Sequence, residues 1–213
     1  LLRSLIEEAM TSSQLEGAST TTPIAKEMLL TGRAPRDLSE RMIVNNFVAM
    51  RELRRWFKEP MTPDLVFEVH RLLTEGTLRN AGEAGRFRTE KEDIAVLDHA
   101  TGTVLHIPPA ASELPGRMQA LCDFANQGDD GERFVHPVVR AILIHFMIGY
   151  DHPFVDGNKR AAFLAVGMFL YLNGYRLTAT QADATLTMLG LAAGDIAEAD
   201  FAAWLRTHAA PRA

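Results

Sequence analysis

The sequence predicts a mainly α-helical protein with a single β-hairpin, and three observations lead there. Apolar residues recur at three- and four-residue spacing through most of the chain. Threonine–proline pairs and glycines punctuate that pattern where helices should start and stop. One stretch alone, from about Ile94 to Ile107, loses the helical period and holds two β-favouring runs. The 213 residues, 47% hydrophobic and 23% charged, are enough to bury a substantial core.

Taken in order, Leu1, Leu2, Leu5, Ile6, Ala9 and Met10 mark one face of a helix running towards Glu16, with Gly17 placed to end it. Thr22 and Pro23 open a short helix, Ile24 to Leu30, that stops at Gly32. A longer helix is expected from about Asp37 to Lys58, closed by Pro60, and the Thr62-Pro63 pair starts the next, whose buried face includes Val66, Val69 and Leu73. The runs 94–97 and 103–107, joined by 98–102, read as the hairpin, and Pro108-Pro109 ends it. A helix follows from about Ser112 to Asn126, then an acidic loop, Gly128 to Glu132. Val138 to Tyr150 and Ala161 to Leu172 are apolar nearly all round and are expected at the centre of the protein. Two further helices, one starting near Thr178 or Thr180 and one from about Ala199 to His208, complete a single domain over 1–213.

Several function classes fall away. No run of about 18 apolar residues is present to span a bilayer and no secretory signal opens the chain, so the expected location is the cytoplasm. The chain begins at Leu1 inside an apolar pattern, which reads as a piece of a longer protein. Cys122 is the lone cysteine, so there is no disulfide framework, and it reads as a buried, inert thiol. His136, His145 and His152 are spaced by nine and seven, which fits no common metal motif. The net charge of −5 gives no general attraction for nucleic acid.

The chemistry concentrates in the connection Asp151-His152-Pro153-Phe154-Val155-Asp156-Gly157-Asn158-Lys159-Arg160 between the two apolar helices. Polar groups beside a core cost several kcal/mol unless each is partnered, so this density asks for a ligand. A helix starting near Asn158 offers free N–H groups and the positive end of its dipole, and Lys159 and Arg160 add cations where a helix start prefers acids. That combination suits phosphate. Gly157 permits close approach or a positive φ. Asp156 suits a Mg²⁺ shared with phosphate oxygens, and His152 suits proton removal from a hydroxyl near neutrality. Phe154 anchors the loop in the core.

The nine residues from His152 to Arg160 resemble the Fic/Doc (Fido) signature, His-x-Phe-x-Asp/Glu-Gly/Ala-Asn-Gly/Lys-Arg. Ser12-x-x-x-Glu16-Gly17 is similar to that family's inhibitory helix motif, within an N-terminal segment 1–32. The hairpin, about 86–108 with its lead-in Gly85-Arg86-Phe87-Arg88, looks like the family's flap, which docks a target segment by strand addition; Ile94, Val96, Val104 and Ile107 would line it. The resemblance implies a Fic/Doc-type helical bundle whose central helices, 136–175, flank the active-site loop. It also implies transfer of part of a nucleotide, usually AMP from ATP, to a Ser, Thr or Tyr hydroxyl of a protein. In that scheme His152 takes the proton, Asp156 binds Mg²⁺, and Gly157, Asn158 and Arg160 hold phosphates. The partners expected are a target protein and a nucleotide, with a homo-oligomer or an antitoxin as further candidates.

Two departures favour a different transfer. AMP-transferring members usually carry Gly after the Asn and a second Arg three residues past the first; here those positions hold Lys159 and Phe163. The Asn-Lys-Arg run is similar to Doc toxins, which transfer the γ-phosphate, so the expectation leans to phosphoryl transfer with AMP transfer as the alternative. With Phe163 in place of the second Arg, Glu16 would have to pair with Lys159 or Arg160 to inhibit. Two rival readings are a nucleotide- or protein-binding module that has lost catalysis and a nucleic-acid-binding regulator, the latter opposed by the chain's acidity.

Overall fold

The computed structural model describes residues 13, 18–53, 56, 59–92, 94–97, 102–127, 135, 137–158, 160–162, 164–165, 174–179, 183, 187, 196–197, 200, 203–204 and 207–211. Ser12, Glu16, Gly17, Lys159 and Phe163 lie outside them, as does the whole acidic loop, 128–132.

Helix α1 spans Thr22–Thr31, its N-cap at Thr21, one residue before the predicted cap. Gly32 ends it with φ 71 and an N–H bonded to the Met28 carbonyl, a left-handed close that glycine permits. Helix α2, Leu38–Leu53, starts where Asp37 Oδ1 accepts the Glu40 N–H at 2.8 Å. Helix α3, Pro63–Thr74, has the predicted cap: the Thr62 side chain accepts the Leu65 N–H at 3.2 Å and Pro63 takes the first turn. Its buried stripe is Val66, Val69, His70, Leu73 and Thr74.

The hairpin pairs β1, Val96–Leu97, with β2, Val104–His106, antiparallel and with an irregular register between Val96 and Leu97. It is shorter than the predicted runs because 94–95 and 107 extend beyond the ladder. A 3₁₀ turn, Ala111–Glu113, leads into α4, Leu114–Asn126. Helix α5, Pro137–Asp151, leads to the loop that carries the motif, and residues 158, 160–162 and 164–165 beyond it are helical.

Two expectations need correction. Helix α5 is not buried all round: Ala141, Ile144 and Ile148 are buried, whereas Val139, Leu143, Phe146 and Tyr150 are exposed. Both stripes obey helical spacing, so composition alone did not separate them. Near the C-terminal end, β3, Tyr175–Leu177, pairs antiparallel with β4, Ala209–Pro211, a two-stranded ribbon that the helical reading missed. Three-residue strands separated by more than thirty positions leave no period to detect.

One core joins these elements. Leu73 of α3, Met118 and Leu121 of α4, and Ile144 and Ile148 of α5 meet Phe154 of the loop and Ala161, Ala162 and Leu164 of the following helix. Cys122 lies in this core, and burial pushes its thiol up to about 12, as expected of an inert sulfhydryl. Among the described residues no helix is long and apolar enough to cross a membrane.

Because α3 carries a large share of the core and the buried His70 imidazole, its cap bears on the whole site. Thr62→Ala is expected to lower the unfolding free energy by about 1 kcal/mol, read as a lower urea midpoint at unchanged slope.

Candidate active site

The motif connection is tied down at its aromatic residue. Phe154 is fully buried, and Asn158 closes a reciprocal clasp on it: the Phe154 N–H donates to Asn158 Oδ1 at 2.9 Å and Asn158 Nδ2 donates to the Phe154 carbonyl at 2.8 Å. The Asn158 side chain, expected to hold phosphate, is therefore committed to closing the loop, and what it can present to an anion is its backbone N–H.

Underneath lies His70, which sequence reasoning passed over. Its ring stacks on Phe154 with centroids 3.8 Å apart and planes 6° from parallel. The Gly85 N–H donates to Nδ1 at 2.9 Å, which makes Nδ1 the unprotonated nitrogen, so Nε2–H donates to the Asp156 carbonyl, also at 2.9 Å. Desolvation, the largest influence, holds the imidazole down at about 4, so it is neutral near pH 7. Gly157 packs on the same support with φ 80; a Cβ there would come within 3.0 Å of Thr74 Cγ2 and 3.5 Å of the His70 ring. The available signal was a histidine and a threonine at positions 70 and 74 of a stripe otherwise made of Val66, Val69 and Leu73.

His152 begins the loop in a left-handed conformation, φ 42, the one described non-glycine residue with a positive φ. Its Nδ1 lies 2.6 Å from the Gly149 carbonyl. A carbonyl only accepts, so Nδ1 carries the proton and Nε2 is the basic nitrogen of the neutral ring.

At the other end, Asp156 Oδ1 accepts the Gly157 N–H at 2.6 Å, and Oδ2 lies 3.5 Å from Arg160 Nη2. The Asp156 side chain is half exposed, whereas the Arg160 guanidinium is buried beneath it and donates Nη1 to the Leu73 carbonyl at 3.0 Å. Arg160 Nε and Nη2 have no hydrogen-bond partner among the described residues. Three of these features fit a phosphate with a divalent metal: an accessible carboxylate, orphaned buried donors, and a glycine cradle that a Cβ would fill. No group of three or more His, Cys, Asp or Glu among the described residues could hold a metal, so such an ion would complete its shell with phosphate and water.

Thus His152, Phe154, Asp156, Gly157, Asn158 and Arg160 come together on one loop. In the hairpin, Ile94 and Val96 are half-buried, while Val104 and Ile107 are exposed, and no third strand pairs with it among the described residues. Ser12, Glu16 and Gly17 lie outside the described residues. Their neighbour Ser13 is buried, its Oγ 2.7 Å from Asn46 Nδ2 of α2, and its carbonyl accepts the Ala18 N–H at 3.0 Å.

The Fic/DOC family model matches residues 60–170, slightly more than half of the chain. A protein adenylyltransferase Fic from Nematostella vectensis is 33% identical over 117 residues, covering 55% of this chain and 24% of the relative. One from Drosophila mojavensis is 37% identical over 70 residues, covering 33% of this chain and 14% of the relative. The chain thus spans less than a quarter of the length of these relatives. Among solved structures, a Fic-domain-containing signalling protein from Bacteroides thetaiotaomicron superposes with a TM-score of 0.74 at 23% identity, covering 90% of this chain and 72% of that one. Fic-1 from C. elegans gives 0.68 at 19% identity, covering 86% and 54%.

The buried imidazole should make folding acid-sensitive. Its folded pKa lies below the unfolded value of about 6.5, so the unfolded chain binds more protons as pH falls from there towards 4; the stabilisation is complete above 6.5 and is lost across that window. Urea unfolding in metal-free buffer should show wild type losing roughly 2 kcal/mol more than His70→Gln between pH 7.5 and pH 5. Parallel losses in the two proteins would remove this assignment.

Proposed function

The chain belongs to the Fic/DOC family, and from that membership we propose that it is a nucleotide-dependent transferase that moves AMP from ATP to a hydroxyl of a target protein. The observation that carries the reading is His152 Nδ1 bonded to the Gly149 carbonyl, which leaves a basic Nε2 at one end of a loop whose other end offers Asp156, Gly157 and Arg160. Base and anion site share one short stretch of backbone. His152 Nε2 takes the proton of the target hydroxyl. The hydroxyl oxygen forms a bond to the α-phosphorus as the bond to pyrophosphate breaks. Arg160 and the backbone N–H groups around Gly157 bind the phosphates and oppose the charge that develops on them. Asp156 is the residue that would hold a divalent ion, Mg²⁺ by its carboxylate chemistry, and a bound ion would neutralise phosphate charge there. The hairpin, with Val104 and Ile107 exposed, is the surface for an extended target segment.

Lys159 and Phe163 favour phosphoryl transfer on sequence grounds, whereas the curated relatives carry the name adenylyltransferase, and the proposal follows the relatives. We read the chain as one domain, with Glu16 of the Ser12–Gly17 motif restraining this site from a segment anchored on α2 through Ser13 and Asn46.

Incubation of a cell lysate with α-labelled and γ-labelled ATP in parallel tests the reading. Label on protein is expected from the α position alone, and His152→Ala should reduce it by about 10²- to 10⁴-fold. Label from γ alone would replace AMP transfer with phosphoryl transfer, and no His152-dependent label from either, in wild type and in Glu16→Gly alike, would leave a binding module. Glu16→Gly is expected to raise transfer; an unchanged rate would remove the restraint.

A further inference from the structure

The last four carbonyls of a helix lack intrahelical donors, so whatever satisfies them sets where the chain goes next. At the end of α5, Ile148 O and Gly149 O are met by His152 itself, and the four consecutive carbonyls from Tyr150 to Pro153, two in the helix and two beyond it, receive donors from the hairpin or its lead-in. His106 Nε2 of β2 donates to Tyr150 O at 2.8 Å. Arg88 supplies the rest: Nη2 to Asp151 O at 3.4 Å, Nε to His152 O at 2.8 Å, and its own N–H to Pro153 O at 2.8 Å. The same Nη2 donates to Pro109 O at 2.5 Å, where the chain leaves the hairpin. The His106 ring also lies against that of Tyr150, centroids 4.4 Å apart. From the other side, Arg117 Nε of α4 holds Asp151 Oδ1 at 2.8 Å.

We propose that Arg88 and His106 are positioning residues for His152, so that the base is set only while the hairpin is seated on the end of α5. The left-handed backbone at His152 is a conformation that non-glycine residues rarely adopt and that persists only where its surroundings over-determine it. Here the surroundings are the end of α5, where the His152 N–H meets Ile148 O at 3.2 Å, together with donors from Arg88 in the hairpin's lead-in and His106 of β2. Arg88 is buried and its planar fork spans three carbonyls, a reach that a lysine point charge lacks. A segment that docks on the hairpin thereby acts on an element bonded to the base's own backbone. The inference extends the transfer reading by naming what couples target docking to the base, and its ring-nitrogen test does not depend on that reading.

Long-range proton–nitrogen correlation at pH 8 on histidine-¹⁵N protein, with His152→Ala for assignment, reads the His152 tautomer directly. Wild type is expected in the Nδ1–H form. His106→Gln, which keeps an N–H able to reach Tyr150 O, should retain that form, whereas His106→Leu and Arg88→Lys should give mixed tautomers. In the transfer assay the latter two should lose tenfold or more in kcat with ATP affinity within twofold of wild type. An Nε2–H form in wild type, an unchanged His152 spectrum in the Leu and Lys variants, or a Gln variant behaving like Leu would overturn the inference. If wild type transfers no label, the ring signature still decides it, and the transfer reading fails by itself. Should Arg88→Lys not fold, the His106 pair decides.

Discussion

Stacked on Phe154 and bonded through Nε2 to the Asp156 carbonyl, the His70 imidazole is the surface on which the active-site loop is built. A neutral histidine is suited to this because it offers one donor and one acceptor in fixed opposition, and here both are used: Gly85 satisfies Nδ1 from one side and Asp156 satisfies Nε2 from the other. A phenylalanine would keep the stack and leave the Gly85 N–H and the Asp156 carbonyl without these partners. A protonated ring would lose its acceptor and place a second cation near Arg160. Burial and the chain's two backbone groups therefore require the same protonation state.

From that support the loop's two ends acquire opposite electrostatic characters. At its start, His152 sits where α5 ends, and helix-end carbonyls are met by Arg88 and His106. At its finish, a new helix begins at Asn158, where partial positive charge and N–H donors favour an anion. The Asn158–Phe154 clasp keeps these ends at a fixed separation, and the Gly157 cradle against Thr74 allows no side chain between them. The candidate base and the candidate phosphate site are thus held by backbone geometry, with side chains of the loop spent largely on maintaining it.

Much of this was legible in the sequence, and the rest was hidden for identifiable reasons. Local signals were reliable: Gly32 ends α1, Thr62 and Pro63 open α3, and the nine-residue motif forms the turn between α5 and the next helix. The outward face of α5 was misread because Val139, Leu143, Phe146 and Tyr150 share the period of the buried stripe, and hydrophobicity does not say which stripe has a neighbour. His70 and Arg88 were missed as site residues because their roles are made by contacts across 86 and 64 positions of chain. Asn158 stands in the expected loop, but its side chain closes that loop on Phe154 and only its backbone N–H is left for an anion. Its side chain has both a donor and an acceptor, and a clasp on one residue's backbone uses both, whereas phosphate would use one.

The burial of Arg160 carries the same logic to the ligand. A guanidinium enclosed by protein normally has its five N–H donors met, because an unmet buried donor costs as much as a lost hydrogen bond. Here Nη1 reaches the Leu73 carbonyl, Nη2 has the Asp156 carboxylate at 3.5 Å, too long for a strong bond, and Nε has no acceptor among the described residues. The single carboxylate cannot serve Arg160 fully while it also accepts the Gly157 N–H and faces solvent. A phosphate oxygen arriving at the helix start would relieve this competition, since it adds acceptors without removing Asp156 from either neighbour. The deficit sits beneath the loop, where charge-assisted bonds are least screened by water, so an acceptor that met these donors would contribute more there than at the surface.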